Sequence, residues 1–272
     1  MNTFITEPKP EHGSQEWLRS RQRDQHGRIR FGGSDAPTLM GVNEYATLVD
    51  LFISKHELEP TQVFSKAFHR GNILEPVLIE EAGRLLNLDL LTPNLMFSRG
   101  RLMVNLDGAD SNDDPQVIVE AKTSTRYSIN DAVPLPYFWQ ATAQLACTNA
   151  QVCHVICLDR RQEIGMWEIV RNESFIEQIL EIAESTGTRF DNYEIPSGAT
   201  QEQVTILHPN PSGSIELDAK GREIIDEWAR LKLNLAAVEE EEKRLRNHLA
   251  ELLGEHEEGS VNGQVLVTFK SQ

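Results

Sequence analysis

The segment VIVEAKTS, residues 117–124, places two charged side chains in a run that otherwise predicts a buried strand. Glu120 and Lys122 stand two residues apart, and in a strand such residues point to the same face of the sheet. An isolated charge is costly to bury, so this pair requires a partner, a metal ion or an open cleft. The spacing makes Glu120 and Lys122 the first candidates for chemistry.

A second carboxylate stands at the end of the preceding predicted strand, where Asp107 closes the segment MVNLD. A hairpin that joins residues 103–107 to residues 117–122 would bring Asp107 beside Glu120. Two carboxylates that lie so close together repel each other unless a cation lies between them. The pair therefore favours a site for a positive ion.

Carboxylate oxygens match hard dications, so the sequence favours Mg²⁺, with Mn²⁺ as a substitute. The backbone carbonyl of Ala121 could add another oxygen ligand. Lys122 would stand at the edge of the metal, placed to orient or deprotonate a water and to offset negative charge in a transition state. That chemistry is typical of phosphodiester hydrolysis. The competing interpretation is an exposed edge strand with an ordinary Glu–Lys pair.

The composition bounds the kind of protein that carries these residues. The chain has 272 residues, 39% hydrophobic and 25% charged, which is typical of one large globular domain or one domain with an appendage. Its apolar runs are too short to span a membrane, and its first residues have no apolar signal core, so we expect a cytoplasmic protein. Three clustered cysteines argue against a disulfide framework.

The charge balance is acidic, with a net charge of −16. That excess argues against a protein that coats nucleic acid. The first 70 residues are balanced, however, with nine Lys or Arg against nine Asp or Glu. We therefore expect any DNA contact to come from a local basic patch and a bound metal.

The elements that must position the site follow a mixed order. Residues 1–15 read as a flexible arm, and the patterns after them predict helices, three strands, a helix, two strands and a helix. This order predicts an α/β or α+β core in which helices flank one central mixed sheet. We assign this domain to residues 1–200 and a Pro-, Gly- and Ser-rich linker to residues 201–215.

Residues 216–272 have a different pattern, in which apolar residues recur at steps of four and three. The members of this stripe are Ile224, Trp228, Leu231, Leu235, Val238, Leu245, Leu249 and Leu252. Glu242 occupies the one polar position. About four heptads predict a coiled coil or a helical hairpin arm, and a long amphipathic helix packed on its own domain is an equal alternative. The tail GQVLVTFKSQ predicts a short terminal strand.

Several stretches resemble one nuclease family. Asp107 followed by VEAK resembles the core of the PD-(D/E)xK nucleases. More closely, EWLRSR, GGSDAPTLMG, RGNILEPV and YFWQATAQL, in this order, resemble motifs of the YqaJ-type viral recombinases, which are relatives of lambda exonuclease. The resemblance spans roughly residues 14–170. It implies a restriction-endonuclease-like core.

The resemblance also implies roles for individual residues. Asp107 and Glu120 would be metal ligands, Glu75 would supply a further carboxylate from its helix, and Lys122 would be the catalytic lysine. Gln140 would help to place the nucleophile or the scissile strand. Glu75 could equally be a solvated helix residue.

A terminal phosphate would be held by Arg21 and Ser34. A guanidinium forks onto phosphate oxygens, and Ser34 begins a predicted helix whose N–H groups favour an anion. The spacing between these two residues is longer than is usual in the family, so Arg28 or Arg30 could take the place of Arg21. Gln144, one helical turn after Gln140, is an equal candidate for the role of Gln140.

The activity that this resemblance implies is a Mg²⁺-dependent exonuclease on duplex DNA ends, of the phage or prophage recombination type. Its products would be mononucleotides and a single-stranded tail. Its partners would be a single-strand annealing protein and further copies of itself. Two alternatives remain at this stage: a restriction-like or junction endonuclease on the same core, and a nuclease-like scaffold that binds DNA or a partner.

Overall fold

The computed structural model describes residues 4–11, 14–57 and 66–268. The chain divides into two compact units, Met1–Pro209 and Asn210–Gln272. Within the described residues, no helix is both long enough and apolar enough to cross a membrane.

The first unit is built on two four-stranded sheets. Its strands are β1 (Ile5–Pro8), β2 (Phe31–Gly32), β3 (Leu95–Arg99), β4 (Leu102–Val104), β5 (Gly108–Ala109), β6 (Val117–Thr123), β7 (Val152–Leu158) and β8 (Ile164–Val170). The strand orders are β1-β3-β4-β2 and β5-β6-β7-β8. Each sheet is mixed, because β2 and β4 are parallel in one and β6 and β7 are parallel in the other.

Helices flank both sheets of this unit. They are α1 (Gln15–Gln22), α2 (Ala36–Leu39), α3 (Leu48–Lys55), α4 (Lys66–Leu86), α5 (Leu135–Cys147), α6 (Glu173–Asp191) and α7 (Gln201–Leu207). A 3-10 turn, Gly33–Asp35, connects β2 to α2. The predicted α+β class with a mixed sheet flanked by helices is confirmed, although the sheet is divided in two.

The site strand β6 is covered on both faces. Ile118 is fully buried in the main core, together with side chains of α5 and α6. Val119 points the other way and packs against Leu78 and Ile79 of α4. A strand covered on both faces is apolar throughout, which explains the run VIV and leaves Glu120 as a buried charge.

Two local predictions were wrong. Residues 1–15 do not form a flexible arm throughout, because β1 pairs with β3 in an antiparallel ladder. The predicted hairpin between residues 103–107 and 117–122 also does not form. Instead β4 pairs with β3 and β2, and the two residues that follow Asp107 form β5, which pairs with β6.

Two further elements differ from the sequence patterns. The segment 201–215 begins with α7, whose buried Gln203 hydrogen-bonds to Asp50 at the start of α3. Pro76 lies inside α4, although proline favours the first turn of a helix. Tertiary packing of α4 therefore outweighs the local preference of proline for a helix start.

The second unit consists of one long helix and a hairpin. The helix α8 (Ala219–Leu253) is continuous over 35 residues, and none of them is buried. Strands β9 (Glu258–Val261) and β10 (Gln264–Thr268) pair in antiparallel fashion. Asn262 and Gly263 between them both have positive φ, as a two-residue hairpin turn requires. The dipeptide Asn-Gly is the signal in the sequence that could have predicted β9.

Candidate active site

A cleft of about 530 Å³ in the first unit gathers all the predicted site side chains. Its walls come from α1, the 3-10 turn, α4, β6, α5 and the residues before β5. The predicted site residues that line it are Arg21, Ser34, Glu75, Asp107, Glu120, Ala121, Lys122 and Gln140. Residues far apart in the sequence therefore share one concave surface, as a ligand site requires.

Glu120 is the centre of the hydrogen-bond network in this cleft. Only 4% of the residue is exposed, so its charge requires internal partners. Its Oε1 accepts from Lys122 Nζ at 2.5 Å and from Gln140 Nε2 at 2.5 Å, and its Oε2 accepts from Gln144 Nε2. Helix α5 supplies both glutamines because residues four apart lie on one face of a helix. One ammonium and two amides thus satisfy the buried carboxylate.

Asp107 stands directly before β5, where the chain joins the edge of the second sheet. Its Oδ2 accepts the backbone N–H of Ala121 at 2.9 Å, so the side chain is fixed against β6. Burial raises the pKa of Asp107 well above its ordinary value, and the negative charges of Glu120 and Glu75 raise it further. The three carboxylates therefore interact electrostatically in one cleft.

The approach of Glu75 to Asp107 depends on a close contact between α4 and β5. A Cβ on Gly108 would lie 3.0 Å from Cδ1 and Cγ2 of Ile79, so no side chain fits there without displacement. Glu75 and Ile79 are four residues apart and share a face of α4. The missing side chain of Gly108 lets this face, and Glu75 with it, approach the end of the strand.

Lys122 supplies the positive charge that balances these carboxylates. Burial lowers the pKa of Lys122, but the negative charges of Glu120 and Asp107 outweigh burial and raise it above the ordinary value. The ammonium also lies 5.7 Å from the centre of the Tyr137 ring, a cation–π distance. Lys122 is therefore protonated at neutral pH in this arrangement.

The donor set fits a hard dication. Within the described residues, no three His, Cys, Asp or Glu side chains are gathered as a ready-made metal site. Mg²⁺, however, is usually held by one or two carboxylates and keeps several of its waters. Asp107, Glu120 and the backbone carbonyl of Ala121 could hold it, and a cation would relieve the repulsion that raises the pKa of Asp107.

A second group of residues lies across the same cleft. Arg21 Nη2 donates to Ser34 Oγ at 3.1 Å, and the guanidinium stacks on the Trp17 ring at 4.6 Å. The longer spacing between Arg21 and Ser34 in the sequence therefore does not separate the two side chains. Arg28 pairs with Asp24 and Arg30 is buried near Glu7, and neither lines the cleft.

A buried ion pair supports the Arg21–Ser34 group from behind. Lys55 Nζ lies 2.7 Å from Asp35 Oδ2 and donates to the backbone carbonyl of Arg21 at 3.0 Å. The same Asp35 oxygen accepts the N–H of Gly32 at 2.8 Å. Asp35 therefore holds the turn, and the Ser34 hydroxyl is left to contact Arg21.

Of three further cleft residues, two were not predicted and one was predicted only as an alternative. Gln144 was only an alternative to Gln140, yet both contact Glu120. Asn105 lines the cleft, and its buried Oδ1 has no hydrogen-bond donor among the described residues. Lys9 adds a positive charge at the rim. Lys9 follows β1, in the segment that the sequence predicts to be a flexible arm. Only the pairing of β1 with β3 shows that Lys9 lies at the cleft.

Comparisons with known proteins agree with this fold. The model of the YqaJ-like viral recombinase domain matches residues 16–151, half of the chain. Protein YqaJ of Bacillus subtilis (strain 168) is 22% identical over 267 residues, which cover 90% of this chain and 80% of that protein.

Two solved structures with a similar fold are described as exonucleases. The alkaline exonuclease LHK-Exo from Laribacter hongkongensis is 18% identical with a TM-score of 0.52, over 66% of this chain and 94% of that one. A phage-related exonuclease from Haemophilus somnus 129PT is 12% identical with a TM-score of 0.50, over 61% of this chain and 95% of that one. LHK-Exo has also been solved with dAMP. By its matching domain and its fold, the chain belongs to the YqaJ-like viral recombinase domain family.

Proposed function

We propose that this protein is a Mg²⁺-dependent exonuclease that hydrolyses phosphodiesters at the ends of duplex DNA. The observation that carries the proposal is one cleft that holds two chemically different groups. The carboxylates Asp107 and Glu120 with Lys122 form one group, and the Arg21–Ser34 pair forms the other. Family membership and the fold of known exonucleases support the same activity.

The protein side chains would divide the work as follows. Asp107 and Glu120 would hold the metal, with Glu75 as a further carboxylate. A bound Mg²⁺ would lower the pKa of a water and stabilise charge on the phosphate. Lys122 would orient the water and offset negative charge on the phosphate. Gln140 and Gln144 would hold the Glu120 carboxylate in place.

The Arg21–Ser34 pair supports recognition of a terminal phosphate. A guanidinium that is stacked on Trp17 and bonded to a hydroxyl is well placed to donate to phosphate oxygens. Recognition of a 5′ phosphate there would make the enzyme degrade one strand from its 5′ end and leave a single-stranded tail. The products would be mononucleotides. A phage-type recombination role would then require a single-strand annealing protein as partner.

The first experiment compares linear duplex DNA with closed circular DNA in Mg²⁺ and in EDTA. We expect loss of the linear DNA only, dependent on Mg²⁺, with Mn²⁺ as a substitute. Glu120→Gln should abolish it, whereas Glu177→Gln, an exposed glutamate of α6, should retain full activity. Cutting of the circle would favour the endonuclease alternative, and no cleavage dependent on Glu120 would favour the scaffold.

The terminal-phosphate role has its own test. Linear duplex with 5′-phosphate ends should be degraded faster than the same duplex with 5′-hydroxyl ends, because only the phosphate engages Arg21. Arg21→Gln should remove most of this preference, whereas Arg84→Gln, an exposed arginine of α4, should keep it. Equal rates on the two ends in the wild type would contradict the assignment.

A further inference from the structure

The apolar stripe of α8 is uncovered within its own unit. Its eight members, defined above, are between 41% and 72% exposed. In proteins an amphipathic helix gains most of its stability by packing its apolar face against other groups. A helix of 35 residues with such a face therefore requires a partner.

We propose that α8 pairs with α8 of a second copy of this chain, as an antiparallel two-stranded coiled coil. The alternating steps of four and three assign Ile224, Leu231, Val238, Leu245 and Leu252 to position d, and Trp228, Leu235, Glu242 and Leu249 to position a. In an antiparallel pair, position a of one helix faces position d of the other. The layers are then Ile224–Leu249, Trp228–Leu245, Leu231–Glu242 and Leu235–Val238, each occurring twice.

This register uses the whole helix. Its two-fold axis passes between Ala236 and Ala237, at the middle of Ala219–Leu253. The two helices therefore overlap from end to end, and every member of the stripe faces the other copy. Gly221 is the residue opposite Leu252 at each end. Nearly five heptads take part, more than the three to four that sustain a coiled coil.

The polar seam residue decides the orientation. A parallel pair in register would place Glu242 against Glu242 of the second copy and would align the two Glu239–Glu242 runs. Like charges at such close range destabilise the pair. The antiparallel register instead places Glu242 opposite Leu231, beside Lys232 of the second copy. The acidic run then faces a segment that carries a positive charge.

The flanking charges agree with that choice. Antiparallel pairing brings position e opposite e and g opposite g, which pairs Lys232 with Glu239 and Glu227 with His248. No like charges face each other at these positions. A parallel pair would also have favourable flanks, Glu227 with Lys232 and Glu241 with Arg246. The flanks therefore permit both orientations, and Glu242 in the seam distinguishes them.

The first test is the mass of the full-length protein in solution by light scattering. Leu231→Glu places a charge in the seam, and Leu233→Glu is the matched control, because Leu233 is 73% exposed and lies off the stripe. We expect Leu231→Glu to halve the mass and Leu233→Glu to leave it unchanged. Near-UV circular dichroism checks that the first unit stays folded, independently of any nuclease activity.

Two outcomes would overturn self-pairing. A monomeric wild type at tens of micromolar would show that the stripe is covered by the chain itself or by another protein. An identical mass for the Leu231→Glu and Leu233→Glu variants would place any oligomer contact elsewhere in the chain.

The second test distinguishes the orientations by cysteine cross-linking. Position 235 faces position 238 of the second copy only in the antiparallel pair, and the three native cysteines are buried. Under mild oxidation, Leu235→Cys mixed with Val238→Cys should form a disulfide dimer, and neither variant should do so alone. Cross-linking of each variant by itself would show a parallel pair, and no cross-link in any sample would overturn the register.

Discussion

Asp107, which is partly buried, and Glu120, which is buried, repel each other, and this repulsion costs stability in the absence of a cation. Burial and the charges of Glu120 and Glu75 raise the pKa of Asp107. An acid whose pKa is raised on folding destabilises the protein as pH rises through that pKa, and has no effect where it is protonated in both states. The repulsion between these carboxylates therefore lowers the stability of the metal-free protein at the site that the proposed function requires.

Asp107→Asn should therefore stabilise the metal-free protein at neutral pH. The amide keeps an oxygen for the N–H of Ala121 and removes the charge. We expect a gain on the order of 1 kcal/mol in the free energy of unfolding, measured by denaturant titration with EDTA, together with loss of cleavage. The gain should vanish at pH values where Asp107 is protonated in both states. A loss of stability at neutral pH would show that the carboxylates do not repel.

The two glutamines of α5 should differ in their effect on stability. Gln144 is 1% exposed and is the donor to Oε2 of Glu120, whereas Oε1 receives both Gln140 and Lys122. Gln144→Leu leaves a buried charged oxygen without its donor, which costs about 1–3 kcal/mol. Gln140→Leu, the matched control one turn away, should cost clearly less. Equal losses in denaturant titrations would contradict the distinction.

At the scale of elements, α4 packs against the second sheet at Gly108, which has no side chain. Gly108→Ala would place its methyl 3.0 Å from two carbons of Ile79, so that the Ile79 side chain and the part of α4 that carries it must shift. Overpacking of this kind costs about 1–3 kcal/mol. We expect a lower melting temperature and slower cleavage, because Glu75 moves with α4.

Gly71→Ala provides the control for this substitution. Gly71 belongs to the same helix, and a Cβ there meets nothing within 4 Å. Alanine in a helix is favoured over glycine by about 0.5–1 kcal/mol, so the melting temperature should stay the same or rise. A similar loss in both variants would show that the contact with Ile79 does not set the position of α4.

The long helix offers a charge-reversal test of the proposed register. Lys232→Glu would oppose Glu239 in two symmetry-related pairs, each worth about 0.2–1 kcal/mol when exposed. Dimer dissociation should become severalfold easier in analytical ultracentrifugation. The double variant Lys232→Glu/Glu239→Lys should restore the wild-type value, because the two positions exchange their charges and still attract each other. A double variant that remains as weak as the single one would contradict the pairing.

At the scale of the whole molecule, the two units should differ in how their stability depends on protein concentration. The first unit has an extensive buried core, whereas α8 buries none of its own residues. The stability of a helix that depends on a second copy depends on protein concentration. Heating followed by circular dichroism at 222 nm should therefore show a transition for the arm that rises with concentration and one for the first unit that does not. A single transition independent of concentration would contradict self-pairing.

The sequence by itself predicted the carboxylates of the candidate site and the type of most elements. Glu120 and Lys122 at period two in an apolar strand, with Asp107 shortly before, identify the carboxylates without any structure. The apolar steps of α8 likewise predict one long amphipathic helix. Such signals are local, because strand and helix periodicities depend only on neighbours in the chain.

Only the tertiary structure decided which distant residues meet. It replaced the predicted hairpin with β5, added β1 to a sheet, brought Arg21 to Ser34 and gave Gln144 a role equal to that of Gln140. These outcomes depend on contacts between residues far apart in the chain, such as Ile79 against Gly108, that no local pattern encodes. The free energy of packing selects among arrangements that local preference leaves nearly equal.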